Sequence, residues 1–346
     1  MKTHPWLSRV LMVVAFCLLS FSLSGAEGPY HFLKEIPVGG EGSWDYLSVD
    51  TAGRRLYVSH GTKVVVIDLD KDQAAGEVMD TPGVHGFVAA HDLGRGFSSN
   101  GRENKVSIVD LKTLKTLSKV ETGENPDAIL YEPIRHEVYT FNGRGHSATV
   151  IDAESGKVVA TIPLSGKPEF AAADSKAERI YCNLEDKNEV AVIDSKEHKV
   201  VNNWPIAPGE EASGMAIDLA HHRLYLGCRN KLIVVMDCAA GRILHSAPIG
   251  QGVDACEFDP GTQYGFASCG DGTVTIVHQD APGKMSVVQT LKTERGAKTM
   301  TLDPKTHRIY LSTAKFEEIA GQADGGRQRP KMIPGTFKVL VYGIEK

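Results

Sequence analysis

Seven side chains that could take part in acid–base or ligand chemistry recur along this 346-residue chain at spacings of 40 to 44 residues: Asp45, His85, Asp127, Glu169, Ser213, Asp254 and Lys298. Each stands twelve positions before an aromatic residue, in order Tyr57, Phe97, Tyr139, Tyr181, Tyr225, Phe266 and Tyr310. Four carboxylates, an imidazole and an amine brought into one place would shift one another's ionisation, because like charges at close range disfavour the charged form. Asp127, Glu169 and Asp254 would offer oxygen atoms to a hard divalent cation such as calcium. A solvated polar funnel that binds nothing is the blander account of the same residues. No catalytic residue can be assigned from spacing alone.

Such regularity needs an architecture that repeats about every 42 residues. After each aromatic comes a second apolar run, and the first five runs end in Asp68, Asp110, Asp152, Asp194 and Asp237. Short β-branched runs separated by Gly, Asn, Asp and Pro turns, at this period, predict an all-β chain folded as a seven-bladed propeller of four-stranded blades. In one unit the strands are read as 127–131, 137–141, 148–151 and 157–162, too short and too alternating for helices. The seventh unit ends one strand short, whereas residues 31–38 (HFLKEIPV) resemble the fourth strands KVVATIPL and RILHSAPI. The N-terminal strand is therefore expected to close blade 7 and remove the open edge.

In this register the seven spaced residues begin the innermost strands and ring one mouth of the central channel. The loops between second and third strands should reach the same face, adding Asn142, Arg144 and Arg229 among others. The corresponding loop of blade 7, residues 314–335, is about twenty residues longer and carries Arg327, Arg329 and Lys331. A loop of that length is either functional, here as a lid, or without a role. By contrast, the aspartates that end the second runs, and Asp50, Glu132, Asp174, Asp218, Asp259 and Asp303, recur at fixed positions where a carboxylate caps a turn. His136, His222 and His307 sit three residues before their aromatics and are spread around the rim.

Residues 1–26 read as a secretory signal, with Lys2 and Arg9 before the apolar stretch 10–23 and Ser24, Gly25 and Ala26 at the cleavage end. Residues 27–346 then form one domain, periplasmic or secreted, with no membrane span once the signal is removed. Without Lys2 and Arg9 it carries 36 basic and 43 acidic residues, a formal charge of −7, which disfavours a polyanion binder such as one for nucleic acid. Five cysteines remain beyond Cys17. A Cys228–Cys269 bridge between adjacent blades is conceivable, and burial as small apolar residues is the favoured account.

The strands "LYVS", "VYTF" and "IYLS", followed by "VxVID" and a "GKVV" turn, resemble the YVTN repeat family, specifically the exported YncE-like seven-bladed propellers. The likeness covers the whole chain after the signal, although the literal Tyr-Val-Thr-Asn does not occur and its equivalents run from YVSH to YLST. It implies the fold. Related groups include binding modules, lactonases, single-stranded DNA binders and enzyme subunits with copper or quinone-linked chemistry. The expectation is a monomeric binding or scaffolding module that takes a small ligand or an exported protein at the channel mouth. A metal-dependent lactone hydrolase at the same mouth is the first alternative, and single-stranded DNA binding the second, with Trp44, Tyr46 and Phe170 available for stacking.

Overall fold

A computed structural model describes residues 28–281, 284–317 and 331–344 of the chain. Seven antiparallel sheets of four strands each account for nearly all of them, and the only helical segments among the described residues are two short turns, His91–Leu93 and Glu185–Lys187. The innermost strands are Trp44–Asp50, Val84–Ala90, Pro126–Glu132, Pro168–Asp174, Ala212–Asp218, Val253–Asp259 and Met300–Asp303. Third-blade strands run Pro126–Glu132, Glu137–Asn142, Ser147–Asp152 and Val158–Pro163, within a residue or two of the sequence-based bounds. The proposed signal, residues 1–26, lies outside the described residues.

Blade 7 is closed by the N-terminal strand. His31–Pro37 pairs antiparallel with Lys338–Gly343, which pairs in turn with Arg308–Thr313 and that with Met300–Asp303. Tyr30 and Ile36, fully buried, secure this strand, and Tyr30 packs edge-on against Phe266 of blade 6 at 5.1 Å. Burial of such side chains is the main force holding two chain ends together over this sequence distance.

The repeated aromatic wedges between one blade and the next. Tyr57 stacks on Phe87 of blade 2 at 4.3 Å and Tyr225 on Phe258 of blade 6 at 5.2 Å. Tyr139 donates to the Ser195 carbonyl and Tyr181 to that of Cys238, each in the following blade. An aromatic joins area burial to directional ring contact, so one residue type per repeat suffices to glue neighbouring sheets.

The turn carboxylates cap backbone N–H groups. Asp68 accepts from the amides of Asp70 and Lys71, Asp110 from Lys112 and Thr113, and Asp194 from Lys196 and Glu197. Glu132, Asp218 and Asp303 do the same at the ends of innermost strands. His136 pairs with Glu154, and His307 with Asp259 at 2.7 Å, so these rim histidines have their own local partners. Among the described residues all five cysteines are buried and unbridged; Cys228 and Cys269 do not pair. Burial pushes the thiols of Cys228, Cys238 and Cys269 up to about 12, which keeps them protonated and unreactive.

Candidate functional site

The mouth residues are aimed by a shared irregularity. In each of the first six blades the pairing of the innermost strand with its neighbour shifts register at its start, between Trp44 and Leu47, Val84 and Phe87, Pro126 and Ile129, Pro168 and Ala171, Ala212 and Gly214, and Val253 and Ala255. A bulge frees a residue from the ladder and re-aims its side chain. Asp45, His85, Asp127, Glu169, Ser213 and Asp254 all fall inside these shifts. Lys298 sits just before its strand, Met300–Asp303. Neighbouring blades fix the backbone there: the Ser99 hydroxyl donates to the Asp127 carbonyl at 2.5 Å, Asn183 to the Ser213 carbonyl, and Ser268 to the Lys298 carbonyl.

Three groups of side chains form the ring. In the first, His85 Nδ1 lies 2.7 Å from Asp45 Oδ2 and 3.5 Å from Asp127 Oδ1, and all three residues can present a ligand atom within 4.8 Å of the others. In the second, Lys167 bridges Glu169, at 3.0 Å, and Glu185, which Arg229 approaches to 2.7 Å while also donating to the Ser213 hydroxyl at 3.3 Å. In the third, Lys298 and Asp254 pair at 2.8 Å. Of the oxygen ligands suggested by the sequence, Asp127 thus groups with Asp45 and His85, while Glu169 and Asp254 are held by lysines.

Ionisation at this mouth is displaced accordingly. Burial opposes charge on His85, but its hydrogen bond to Asp45, the fields of Asp127 and Asp45, and an Asn125 contact outweigh it and raise the imidazolium to about 9. Burial, reinforced by Asp45 and Glu169, lifts Asp127 to about 7, against the opposing pull of His85. Asp45 is raised by burial and Glu169 by burial and Glu185. Burial also acts downwards on Lys298, yet Asp254, Asp45 and Glu169 keep its amine above the usual range. At neutral pH the first group therefore holds an imidazolium between two carboxyls that compete for charge.

The loop residues expected at the mouth behave differently. Asn142 is fully buried and spends its amide N–H groups on Ser147 and Thr149 within blade 3, so it is part of the blade interior. Arg144 is exposed on its turn. Arg229 is at the mouth, tied to Glu185 and Ser213. Only the two ends of the long blade 7 loop are described; Phe316 and Met332 form an isolated bridge, and Arg327 and Arg329 lie outside the described residues.

Two features of the channel escape the repeat register. Lys167 and Asn125 precede the innermost strands by one residue, outside the counted positions. Deeper in, Tyr46 of blade 1 crosses to blade 4, where its hydroxyl donates to the Glu169 carbonyl at 3.3 Å and its ring meets Phe170 at 5.4 Å, nearly edge-on. These rings form the floor of the mouth. Beneath them lies a cavity of about 420 Å³ lined by innermost strands of blades 1, 2, 3, 4, 6 and 7, with Thr51, Pro260 and Pro304 at its far rim.

No family model matches the sequence, and no curated protein matches it. Solved structures do resemble the fold. A chain of the Kuenenia stuttgartiensis hydrazine synthase superposes with a TM-score of 0.68 over 81% of this chain and 94% of that one, at 17% identity. The structure of U3-55K superposes with a TM-score of 0.74 over 90% of this chain and 98% of that one, at 9% identity. At such identities the likeness establishes the seven-bladed propeller, and activity does not transfer with it.

Proposed function

We propose that this propeller is a binding module whose channel mouth takes a divalent cation at Asp45, His85 and Asp127, with a small polar ligand completing the coordination from the solvent side. The observation that carries this reading is the convergence of three ligand atoms from three adjacent blades within 4.8 Å. One imidazole with two carboxylates suits zinc or manganese better than calcium, which prefers an all-oxygen shell. Without metal the His85 imidazolium supplies the positive charge between the carboxylates. Metal must therefore displace a proton, and affinity rises with pH towards the His85 value of about 9.

Export to the periplasm or beyond belongs to the same proposal, supported by the signal-like residues 1–26, as does the likeness to YncE-type YVTN propellers, supported by the repeated strand motifs. The partner is then a small ligand or an exported protein. Hydrolysis of a lactone by metal-activated water is the second reading. It rests on the same three ligand atoms, which would hold the metal that activates the water. Single-stranded DNA fits less well, because Arg229 is neutralised by Glu185 and the mouth is lined with carboxylates.

Thermal unfolding of the purified protein with zinc, manganese or calcium, with and without chelator, tests this reading. Zinc or manganese should raise the melting temperature, the rise should vanish on chelation, and Asp45→Asn combined with His85→Gln should abolish it. An equal rise in that double variant would place any metal elsewhere. Lactone turnover that survives chelation would eliminate metal-activated water, and no turnover in the presence of zinc or manganese would eliminate the hydrolase reading.

A further inference from the structure

Three residues after each mouth position, the innermost strands carry a second ring: Ser48, Val88, Leu130, Ala172, Ala216, Glu257 and Thr301. Six of the seven are small, apolar or hydroxylic, as a tapering channel requires. Glu257 is the exception, and it projects into the cavity below Tyr46 and Phe170. Among the described residues no basic side chain and no second carboxylate lines that cavity, so Glu257 has no counter-ion there. Its polar partners are the Thr301 hydroxyl and the Leu302 backbone N–H. Burial, only partly offset by these two bonds, pushes its carboxyl up to about 8. The repeat does not need an acid at this position, and an uncompensated one burdens the fold.

The remaining walls are rich in rings. Tyr46, Phe87, Phe170 and Phe258 line the cavity together with aliphatic side chains. A volume of about 420 Å³ lies within the range of small-molecule sites, which combine apolar walls with a few placed polar groups. We propose that this lower half of the channel is a second binding site, entered from the face opposite the metal-binding mouth, for a small molecule with an apolar, preferably aromatic, body and a single amine. The ammonium supplies the counter-ion that Glu257 lacks, and the ring faces attract the same cation. Above about pH 8, where the carboxyl is ionised, an anionic ligand meets like charge and is excluded, while a neutral alcohol gains one hydrogen bond. When the ammonium pairs with Glu257, the carboxyl proton leaves to solvent.

Three probes with a common body test this: 2-phenylethylamine, 2-phenylethanol and phenylacetate, titrated calorimetrically into the purified protein at about pH 9, where Glu257 is ionised. The amine should bind at least about tenfold more tightly than the alcohol, the scale expected for one charge-assisted hydrogen bond, and phenylacetate should not bind. Glu257→Gln, close to isosteric, should erase the amine's advantage and leave the alcohol unchanged. Ala171→Leu, which adds bulk to the cavity wall and keeps the carboxyl, should weaken both. Equal affinities for amine and alcohol, no amine binding at millimolar concentration, or amine binding undiminished in either variant would overturn the proposal. Metal binding at the mouth is read separately, since Glu257→Gln leaves Asp45, His85 and Asp127 in place.

Discussion

His85 and Glu257 are the two side chains whose ionisation departs most informatively from the ordinary. For His85 the cause is a pair of flanking carboxyls, so Asp45→Asn should lower the imidazole from about 9 towards the unperturbed range. Nuclear magnetic resonance titration of the ring protons checks this, and an unchanged midpoint would mean that Asp45 is not the dominant partner. For Glu257 the cause is burial, and the consequence is a stability that depends on pH. A carboxyl raised from 4.5 to about 8 carries no penalty below pH 4.5. Between those values the unfolded chain has lost a proton that the folded one retains, so stability falls by about 1.4 kcal/mol per pH unit, then levels off. Glu257→Gln should therefore gain stability over the parent between pH 4.5 and 8 and hold a constant advantage above that. Urea unfolding at several pH values measures it; a difference independent of pH would contradict the assignment.

The elements explain why some of this is legible in the sequence and some is not. Strand runs, turn aspartates and the aromatic wedges follow from local pattern and chemistry, and the missing fourth strand of blade 7 points to residues 31–38. The regular distance of twelve residues from mouth to aromatic places Asp45 to Lys298 on one rim. What the pattern does not convey is lateral geometry. That Asp127 turns to His85 of the neighbouring blade, while Glu169 turns to Lys167 two residues before it in its own blade, depends on side-chain reach, which no periodicity encodes. The pattern misplaces Asn142 at the mouth because its loop position hides the Ser147 and Thr149 hydroxyls that hold it inside blade 3. Glu257 escapes notice because it falls outside the counted register, although comparison of all seven equivalent positions exposes it. Close approach of strands is equally invisible: a Cβ on Gly214 would stand 2.6 Å from the Cys256 backbone nitrogen in the adjacent innermost strand. Gly214→Ala should therefore destabilise by roughly 1–3 kcal/mol through overpacking, measurable by urea unfolding, whereas a neutral effect would show that blades 5 and 6 can separate without loss.

At the scale of the whole molecule, the ring is closed by one strand from each end of the described chain. Removing residues 28–39 strips blade 7 of its outer strand, together with buried Tyr30 and Ile36, and leaves Lys338–Gly343 as an open edge. The melting temperature should drop sharply and association should increase; an unchanged melting temperature would mean that closure contributes little. A closed ring of seven sheets also creates a channel with two unlike ends, a charged mouth and an aromatic-walled cavity, divided by Tyr46 and Phe170. The central claim concerns the mouth, that a cation there replaces a proton on His85. It is tested most directly by titrating zinc into the protein calorimetrically at pH 7.5 in two buffers of different ionisation enthalpy. Binding accompanied by release of about one proton, and lost in His85→Gln, is the predicted result. No binding, or binding whose heat is the same in both buffers and in His85→Gln, would contradict it.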